Sequence, residues 1–314
     1  MRKKSLDCVY DLARRDDRVV FIGSDLGVGT LDEFKKEFPD RFFMEGVSEG
    51  NIIGMAAGLA LEGKIVYVNT IATFITRRCF EQDVLDLGLH NANVRLIGSG
   101  GGVVYAPLGP THLAIDDLAI MRTIPNMTVV APCDADEMGR LIPLTLDHQG
   151  PIYIRLAKGG DPIVSSDRLP FEIGRALPMV RGTDVLLVST GVTTQVALSA
   201  ASSLAASGVS AGVLHMPTIK PLDVNGFLAS AAPVDAIVVI EEHTIFGGLG
   251  SAIAEIVAEA GFEPSKRFKR IGIPDVFPHG YGSQAAMMDR YGITADRAAT
   301  VARELLATRP ARTN

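Results

Sequence analysis

Short runs of β-branched residues alternate with helical patterns along most of this chain of 314 residues. In the first half, strands are predicted at Val19–Ile22, Ile65–Asn69, Val94–Ile97, Thr128–Val130 and Ile152–Arg155. Helices are predicted between them at Leu31–Phe38, Asn51–Leu61, Phe80–Leu89, Ile115–Arg122 and Asp134–Leu146. When a helix connects each strand to the next, the strands run parallel and the helices cover both faces of the sheet. The pattern therefore predicts an α/β fold.

The alternation lapses after Lys158, in a segment rich in Gly, Pro, Asp and Arg, and restarts at Val185. The second series has strands at Val185–Ser189, Ala211–Leu214 and Ala236–Ile240, and helices at Gln195–Ala206, near Gly250 and at Asp296–Ala307. We therefore expect two doubly wound, mostly parallel-sheet domains. Their predicted bounds are residues 1–160 and 183–314, with a linker at 161–182 that contains a short strand pair.

Composition excludes several functional classes. The chain is 47% hydrophobic and 21% charged, with a net charge of −6, and it has no run of basic residues, so nucleic-acid binding is not expected. The three cysteines have no paired or metal-ligand spacing, which favours a reducing compartment. Charges interrupt the basic N-terminus before a signal-peptide core can form, and no apolar stretch is long enough to span a bilayer. A cytoplasmic protein that does not contact membranes is expected.

Loops that follow the carboxyl ends of parallel strands are the usual ligand sites in such folds. Four loops of the first domain qualify, at residues 23–30, 45–51, 69–74 and 99–112. Any one of them, taken alone, is better explained as an ordinary connection. The same holds for Glu49, which on its own is a helix-terminus acid stabilised by the helix dipole. Ser48 is expected to cap that helix.

Three segments considered together give a more specific indication. They are GVSEGNIIGMAAGLALEGKIVYVNTIATFITRRCFEQ, GPTHLAIDDLAIMRTIPNMTVVAPCDADE and IEEHTIFGGLGSAI. In order and spacing they resemble the C-terminal two-thirds of transketolases, and the resemblance extends from Arg2 to about Leu306. It implies a thiamine-diphosphate pyrimidine-binding domain followed by a transketolase C-terminal domain.

The resemblance assigns cofactor contacts. It implies that Glu49 bonds N1′ of the aminopyrimidine and shares a proton with it, which is acid–base catalysis relayed through the cofactor. Phe74 matches an aromatic residue that lies against the pyrimidine ring, and the nearby Phe80 is a second candidate. Asp25 matches an acidic position near the thiazolium. A core phenylalanine at position 74 and a turn aspartate at position 25 are the alternative interpretations.

The resemblance also implies substrate contacts. His112, in GPTH, matches a histidine that contacts the donor's oxygens, and Arg2 and Lys158 match cations that bind the substrate phosphate. A loop histidine and solvated surface cations are the alternatives. Leu108 stands where transketolases usually have an aspartate that binds an acceptor hydroxyl. Because leucine cannot form this hydrogen bond, we expect an altered acceptor.

The diphosphate and metal motif is missing from the sequence, since no Gly-Asp-Gly occurs in it. The run Gly100–Gly102 lacks the acid and asparagine of that motif and is interpreted as a tight turn. Mg²⁺ (or Ca²⁺) and the diphosphate are therefore expected on a separate N-terminal subunit, in an α₂β₂ assembly, with no metal ligand in this chain. For Glu241–Ile253, a structural role is favoured over an anion site at the helix N-terminus.

The predicted function is that of the C-terminal subunit of a two-subunit transketolase. Such an enzyme transfers a two-carbon ketol unit from a ketose (phosphate) to an aldehyde. Two alternatives remain open at this point. One is the β subunit of the E1 component of a 2-oxo-acid dehydrogenase, and the other is a non-catalytic regulatory subunit with the same fold.

Overall fold

A computed structural model describes residues 1–24, 31–157, 159–167 and 169–307. The α-helices in this part of the chain are α1 (Arg2–Arg15), α2 (Asp32–Glu37), α3 (Glu49–Leu61), α4 (Ala72–Thr76), α5 (Phe80–Gln82), α6 (Asp117–Thr123), α7 (Ala135–Leu144), α8 (Thr193–Ala206), α9 (Val224–Ala231), α10 (Leu249–Glu259), α11 (Gln284–Arg290) and α12 (Ala295–Ala307). The strands are β1 (Val19–Gly23), β2 (Phe42–Met44), β3 (Ile65–Ile71), β4 (Val94–Ser99), β5 (Thr128–Val130), β6 (Ile152–Leu156), β7 (Leu177–Val180), β8 (Val185–Ser189), β9 (Ala211–His215), β10 (Thr218–Lys220), β11 (Ala236–Thr244) and β12 (Arg267–Ile273). Single 3₁₀ turns occur at Pro39–Arg41, Ala106–Leu108 and Pro110–His112, and a π-helix covers Asp83–Leu89.

The first sheet has seven strands in the order β10-β5-β6-β4-β3-β1-β2. All neighbouring pairs are parallel except β10 with β5. Alternate residues of β1 point to opposite faces, as the strand period of two requires. Val20 and Ile22 join the cluster under α3, while Val19 and Phe21 join the cluster under α1 and α7. The sheet is therefore covered on both faces, as predicted.

The second sheet has five strands in the order β12-β11-β8-β9-β7, parallel except for β7, which is antiparallel to β9. The predicted fold class of two mostly parallel sheets is thus confirmed. The segment predicted to hold a short strand pair instead contains one strand among its described residues. That strand, β7, forms an edge of the second sheet.

The two sheets share one packing unit. Strand β10 follows β9 in the chain but pairs with β5 of the first sheet. One apolar cluster also continues from β1, β3 and β4 of the first sheet to β8, β9 and β11 of the second. This continuity fixes where loops of the second domain lie relative to the first. No helix in the described part of the chain is both long and apolar enough to cross a membrane.

Candidate active site

Glu49 is the first residue of α3 and lies beside the carboxyl end of β1. Its side chain is 2% exposed, and Ser24 Oγ donates a hydrogen bond of 3.1 Å to its Oε1. Ser48 does not cap α3 as expected, because its hydroxyl donates instead to the carbonyl of Glu45 at 2.7 Å. A buried carboxylate needs bonding partners to offset its lost hydration. For Glu49 those partners come from two loops at one edge of the sheet.

The second partner of Glu49 is Arg78, which the sequence analysis did not identify. Arg78 Nη1 lies 2.6 Å from Glu49 Oε2. The same guanidinium lies over the Phe74 ring, with its carbon 4.4 Å from the ring centre. Phe74 and Arg78 are four residues apart across the end of α4, a spacing that puts side chains on the same helical face. Arg78 thereby joins the carboxylate to the aromatic ring.

Phe74 also contacts His112. Their ring centres are 5.1 Å apart at an interplanar angle of 64°, an edge-to-face arrangement. The imidazole Nδ1 is hydrogen-bonded to Thr111 Oγ1 at 2.9 Å. Glu49, Phe74 and His112 come from α3, α4 and the 3₁₀ turn Pro110–His112, and the structure brings these three segments together. All three are residues expected at the site from the sequence.

Unpaired polar atoms lie close by, on the segment from β3 to α4. Asn69 Nδ2 donates to Ile97 O and Ser99 Oγ, both at 3.1 Å, which leaves its Oδ1 without a partner. Thr70 Oγ1 and Thr73 Oγ1 are also buried and have no hydrogen-bond partner in the described part of the chain. Buried polar groups are normally bonded. This segment is therefore suited to a ligand that carries polar groups.

The loop of residues 100–114 carries Leu108 and His112. Leu108 ends the 3₁₀ turn Ala106–Leu108 and is 52% exposed, so it does not pack beneath the loop. His112 ends the next turn and is half-buried. Both side chains are thus carried at the tip of the same loop.

The remaining candidates are less closely associated with this group. Phe80 begins α5 and packs against the large apolar cluster, which fits a core side chain. Arg2 is the first residue of α1 and is half-buried. Asp25 and Lys158 lie outside the described residues.

Two buried groups that follow Phe74 in the chain, Cys79 and Asp83, have strongly perturbed pKa values. Burial raises the pKa of Cys79 to about 12, assisted by Asp83 and Glu49, so this thiol stays protonated at neutral pH. Burial, and then the charge of Asp86, raise the pKa of Asp83 well above its ordinary range. Both oxygens of Asp83 lack a hydrogen-bond partner in the described part of the chain. Neither group is suited to act as a nucleophile.

One group of possible metal ligands occurs in the described ranges, formed by Cys133, Glu137 and His215. Most of its polar atoms already have partners in the protein, and Glu137 Oε1 has none in the described part of the chain. Glu137 Oε2 accepts from the Cys133 amide at 2.6 Å and lies 2.9 Å from His215 Nε2, while His215 Nδ1 is hydrogen-bonded to Thr194 Oγ1. Because α7 supplies Glu137 and β9 supplies His215, we interpret the group as a contact between the two domains.

The N-terminus of α10 does not offer the anion site considered from the sequence. The carboxylate of Glu241 accepts hydrogen bonds from the amides of Leu249 and Gly250, at 2.8 and 2.9 Å. The chain therefore supplies its own anion at this helix end. Burial raises the pKa of Glu241 to about 7.

Comparison with known proteins agrees with this geometry. Residues 1–160 match the family described as "Transketolase, pyrimidine binding domain", and residues 174–298 match "Transketolase, C-terminal domain". The chain is 35% identical over 306 residues to the "6-deoxy-6-sulfo-D-fructose transketolase subunit SqwH" of Clostridium sp. (strain MSTE9), covering 97% of this chain and 94% of that protein. It is 37% identical over 276 residues to an apulose-4-phosphate transketolase subunit of Phocaeicola vulgatus, covering 87% of each. A solved structure described as "Split gene transketolase, inactive beta4 tetramer" superposes with a TM-score of 0.90 at 35% identity, covering 98% of this chain and 99% of that one.

The chain therefore belongs to the transketolase family. Within the family it corresponds to the C-terminal subunit of a two-subunit transketolase, because its relatives of similar length are named as subunits and the matching structure comes from a split gene. Members of this family use thiamine diphosphate.

Proposed function

We propose that this chain, joined to a separate N-terminal subunit, transfers a two-carbon ketol unit from a ketose or ketose phosphate to an aldehyde. The observation that carries the proposal is the grouping of a buried carboxylate, an aromatic face and an imidazole at one edge of the sheet. Glu49, Phe74 and His112 provide these groups. When bound, thiamine diphosphate supplies the electron sink for breaking and making the carbon–carbon bond.

The residues present fit the aminopyrimidine end of that cofactor. Glu49 would hold a proton at N1′, and Phe74 would cover the ring and exclude water. The unpaired oxygens on the β3–α4 segment suit a polar heterocycle. His112 would donate a hydrogen bond to a substrate oxygen as negative charge develops on it. Arg2 and Lys158 would bind a substrate phosphate, and Asp25 would lie near the thiazolium.

The diphosphate end needs a second polypeptide. Hard oxygen ligands suit Mg²⁺, and the sequence has no Gly-Asp-Gly motif to supply them. We assign that motif, with Mg²⁺ or Ca²⁺, to the N-terminal subunit, in an α₂β₂ assembly located in the cytoplasm. The names of the relatives support a subunit role, and the substrates in those names are a deoxy-sulfo-fructose and apulose 4-phosphate. Exposed Leu108 favours an acceptor without a hydroxyl at the matching carbon.

The test is Glu49→Gln in the complex reconstituted with the N-terminal subunit. Glutamine keeps the shape and can accept from Ser24, but it cannot hold the N1′ proton. Assembly, followed by size-exclusion chromatography, should be intact, while turnover of a ketose donor should fall by more than about a hundredfold. Turnover within about tenfold of wild type, or about 1.4 kcal/mol in barrier, would remove Glu49 from the mechanism. Decarboxylation of a 2-oxo acid by the wild type, in place of ketol transfer, would favour the dehydrogenase alternative.

A further inference from the structure

The loop of residues 100–114 is closed at its base by a short pairing. The amide of Gly102 donates to Ala114 O at 2.9 Å, and the amide of Ala114 donates back to Gly102 O at 3.0 Å. The glycine run at this base packs closely against side chains of other elements. A Cβ on Gly101 would collide with Arg155, and a Cβ on Gly102, which has φ +65°, would collide with Glu242. The glycine run thus lets the loop base lie directly against Arg155 and Glu242, because larger residues at these positions would push the loop away from them.

Glu242 reaches this loop from β11 of the second domain. Its carboxylate is buried, and Oε1 accepts the Val103 amide hydrogen at 2.7 Å. Gln284 of α11 donates to both carboxylate oxygens at 3.0 Å. The carboxylate thus joins the base of the loop to two elements of the second domain.

Arg155 of β6 fixes the other side of the base. Its Nη2 donates to Ala114 O at 3.1 Å and to Glu242 O at 2.6 Å, and its Nε lies 3.0 Å from Asp117 Oδ2. Both ends of the loop are therefore held by buried charged side chains, one from each domain. A buried polar or charged group that loses its partner is costly. Arg155 and Glu242 are therefore held in position by the hydrogen bonds to their partners.

We propose that Glu242 is a positioning residue for substrate binding. By holding the Val103 amide, this residue of the second domain sets the position of the loop tip that carries Leu108 and His112. This inference rests on the proposed function, because it assigns the loop to substrate. It gives the second domain a role in the active site in addition to assembly.

A variant pair separates positioning from mere folding. Glu242→Gln keeps a side-chain oxygen that can accept the Val103 amide, whereas Glu242→Ala removes it. In the complex with the N-terminal subunit, Glu242→Ala should raise KM for donor and acceptor about tenfold with a smaller change in kcat, and Glu242→Gln should restore near-wild-type values. Thiamine diphosphate affinity should be unchanged in both variants. The matched control is Glu241→Gln, which alters the neighbouring buried carboxylate that caps α10 without a bond to the loop.

Amide hydrogen exchange gives a readout that does not depend on activity. Exchange in residues 103–113 should be at least about tenfold faster in Glu242→Ala than in wild type, and unchanged in Glu242→Gln. Unchanged exchange in Glu242→Ala, or faster exchange without a change in KM, would overturn the inference. An equal rise in KM for Glu241→Gln would also overturn it. If Glu242→Ala does not fold, Gly102→Ala tests the same contact by placing a methyl group against Glu242, with the same expected results.

The two proposals fail in different ways. If the proposed function is wrong, the wild-type complex shows no ketol transfer, or Glu49→Gln keeps it, while the exchange result still holds. If only the positioning role is wrong, Glu49→Gln loses activity while the Glu242 variants show wild-type KM.

Discussion

Arg78 makes the contacts that the aminopyrimidine is proposed to make, so its removal should strengthen cofactor binding. Its guanidinium lies over the face of the Phe74 ring and forms an ion pair with Glu49 Oε2. Both contacts must be given up before a ring can stack on that face and bond Glu49. We therefore expect Arg78→Met to lower the Kd of thiamine diphosphate in the reconstituted complex.

The magnitude follows from the two contacts. A hydrogen bond between charged groups contributes about 1.5–3 kcal/mol, and a cation–π contact at an exposed site contributes about 0.5–1 kcal/mol. The Arg78 side chain is 47% exposed, so it recovers hydration when displaced and solvent screens the pair. We therefore expect the free energy of thiamine diphosphate binding to become more favourable by about 1–2 kcal/mol in Arg78→Met, which corresponds to a Kd about five- to thirtyfold lower.

Isothermal titration calorimetry of the complex, with Mg²⁺ present, measures this Kd. Arg77→Met is the matched control. It removes the same charge one residue away, where Arg77 contacts Thr111 and Asp116 and neither Glu49 nor Phe74. Equal affinity in Arg78→Met and wild type, or weaker affinity, would refute the reasoning. Weaker affinity would show that Arg78 holds Glu49 in place for the cofactor.

The remaining predictions concern Leu108, the assembly and Glu242. Leu108→Asp should shift relative kcat/KM toward 2-hydroxyaldehydes over deoxy acceptors by about tenfold, because an unpaired polar group costs about 1–3 kcal/mol. An unchanged ratio in a folded variant would mean that Leu108 does not contact the acceptor. Light scattering of the active complex should give the proposed α₂β₂ assembly, because closed twofold symmetry is the commonest arrangement of soluble oligomers. A fully active 1:1 heterodimer would contradict this. Burial raises the pKa of Glu242 from 4.5 to about 7. The folded state therefore favours the protonated side chain. Its contribution to the free energy of unfolding is fully present below pH 4.5 and is lost as the pH rises through 7. Glutamine does not titrate, so Glu242→Gln should make the fall in the free energy of unfolding over this pH range about 3 kcal/mol smaller. Chemical denaturation at several pH values measures this fall, and an equal fall in the variant and the wild type would show that Glu242 does not have the raised pKa.

The sequence predicted the fold class well because buried strands and their crossovers leave a strong local pattern. The runs at residues 65–69 and 152–155 lie within β3 and β6. Short or charged elements were missed. Helix α1 has a highly charged sequence, yet Leu6, Val9 and Leu12 line one face that packs toward α7. Strand β10 has three residues and is stabilised by pairing with the other sheet, which no local pattern shows.

The candidate site was predicted only in part. The resemblance supplied Glu49, Phe74 and His112, and the structure places them in one group. Arg78 was missed because an arginine in a helical pattern is usually an exposed surface residue. The available signal was its spacing of four residues from Phe74. Ser48 was given the usual N-cap role, but its hydroxyl bonds the carbonyl of Glu45 instead of the helix amides that it was expected to cap.

The hydrogen bonds of the Glu49 carboxylate come from Ser24 and Arg78 of the first domain, so the proposed contribution of the second domain to the site is limited to positioning the loop. The buried carboxylates of the second domain are used internally, because Glu241 caps α10 and Glu242 holds Val103. The segment from β3 to α4 differs, because within residues 69–73 three buried side-chain oxygens have no partner in the described part of the chain. Three unpaired oxygens so close together, at the sheet edge that also carries the buried Glu49, would be costly without a use. This contrast favours the Glu49 edge as the place where the cofactor and the N-terminal subunit are proposed to bind.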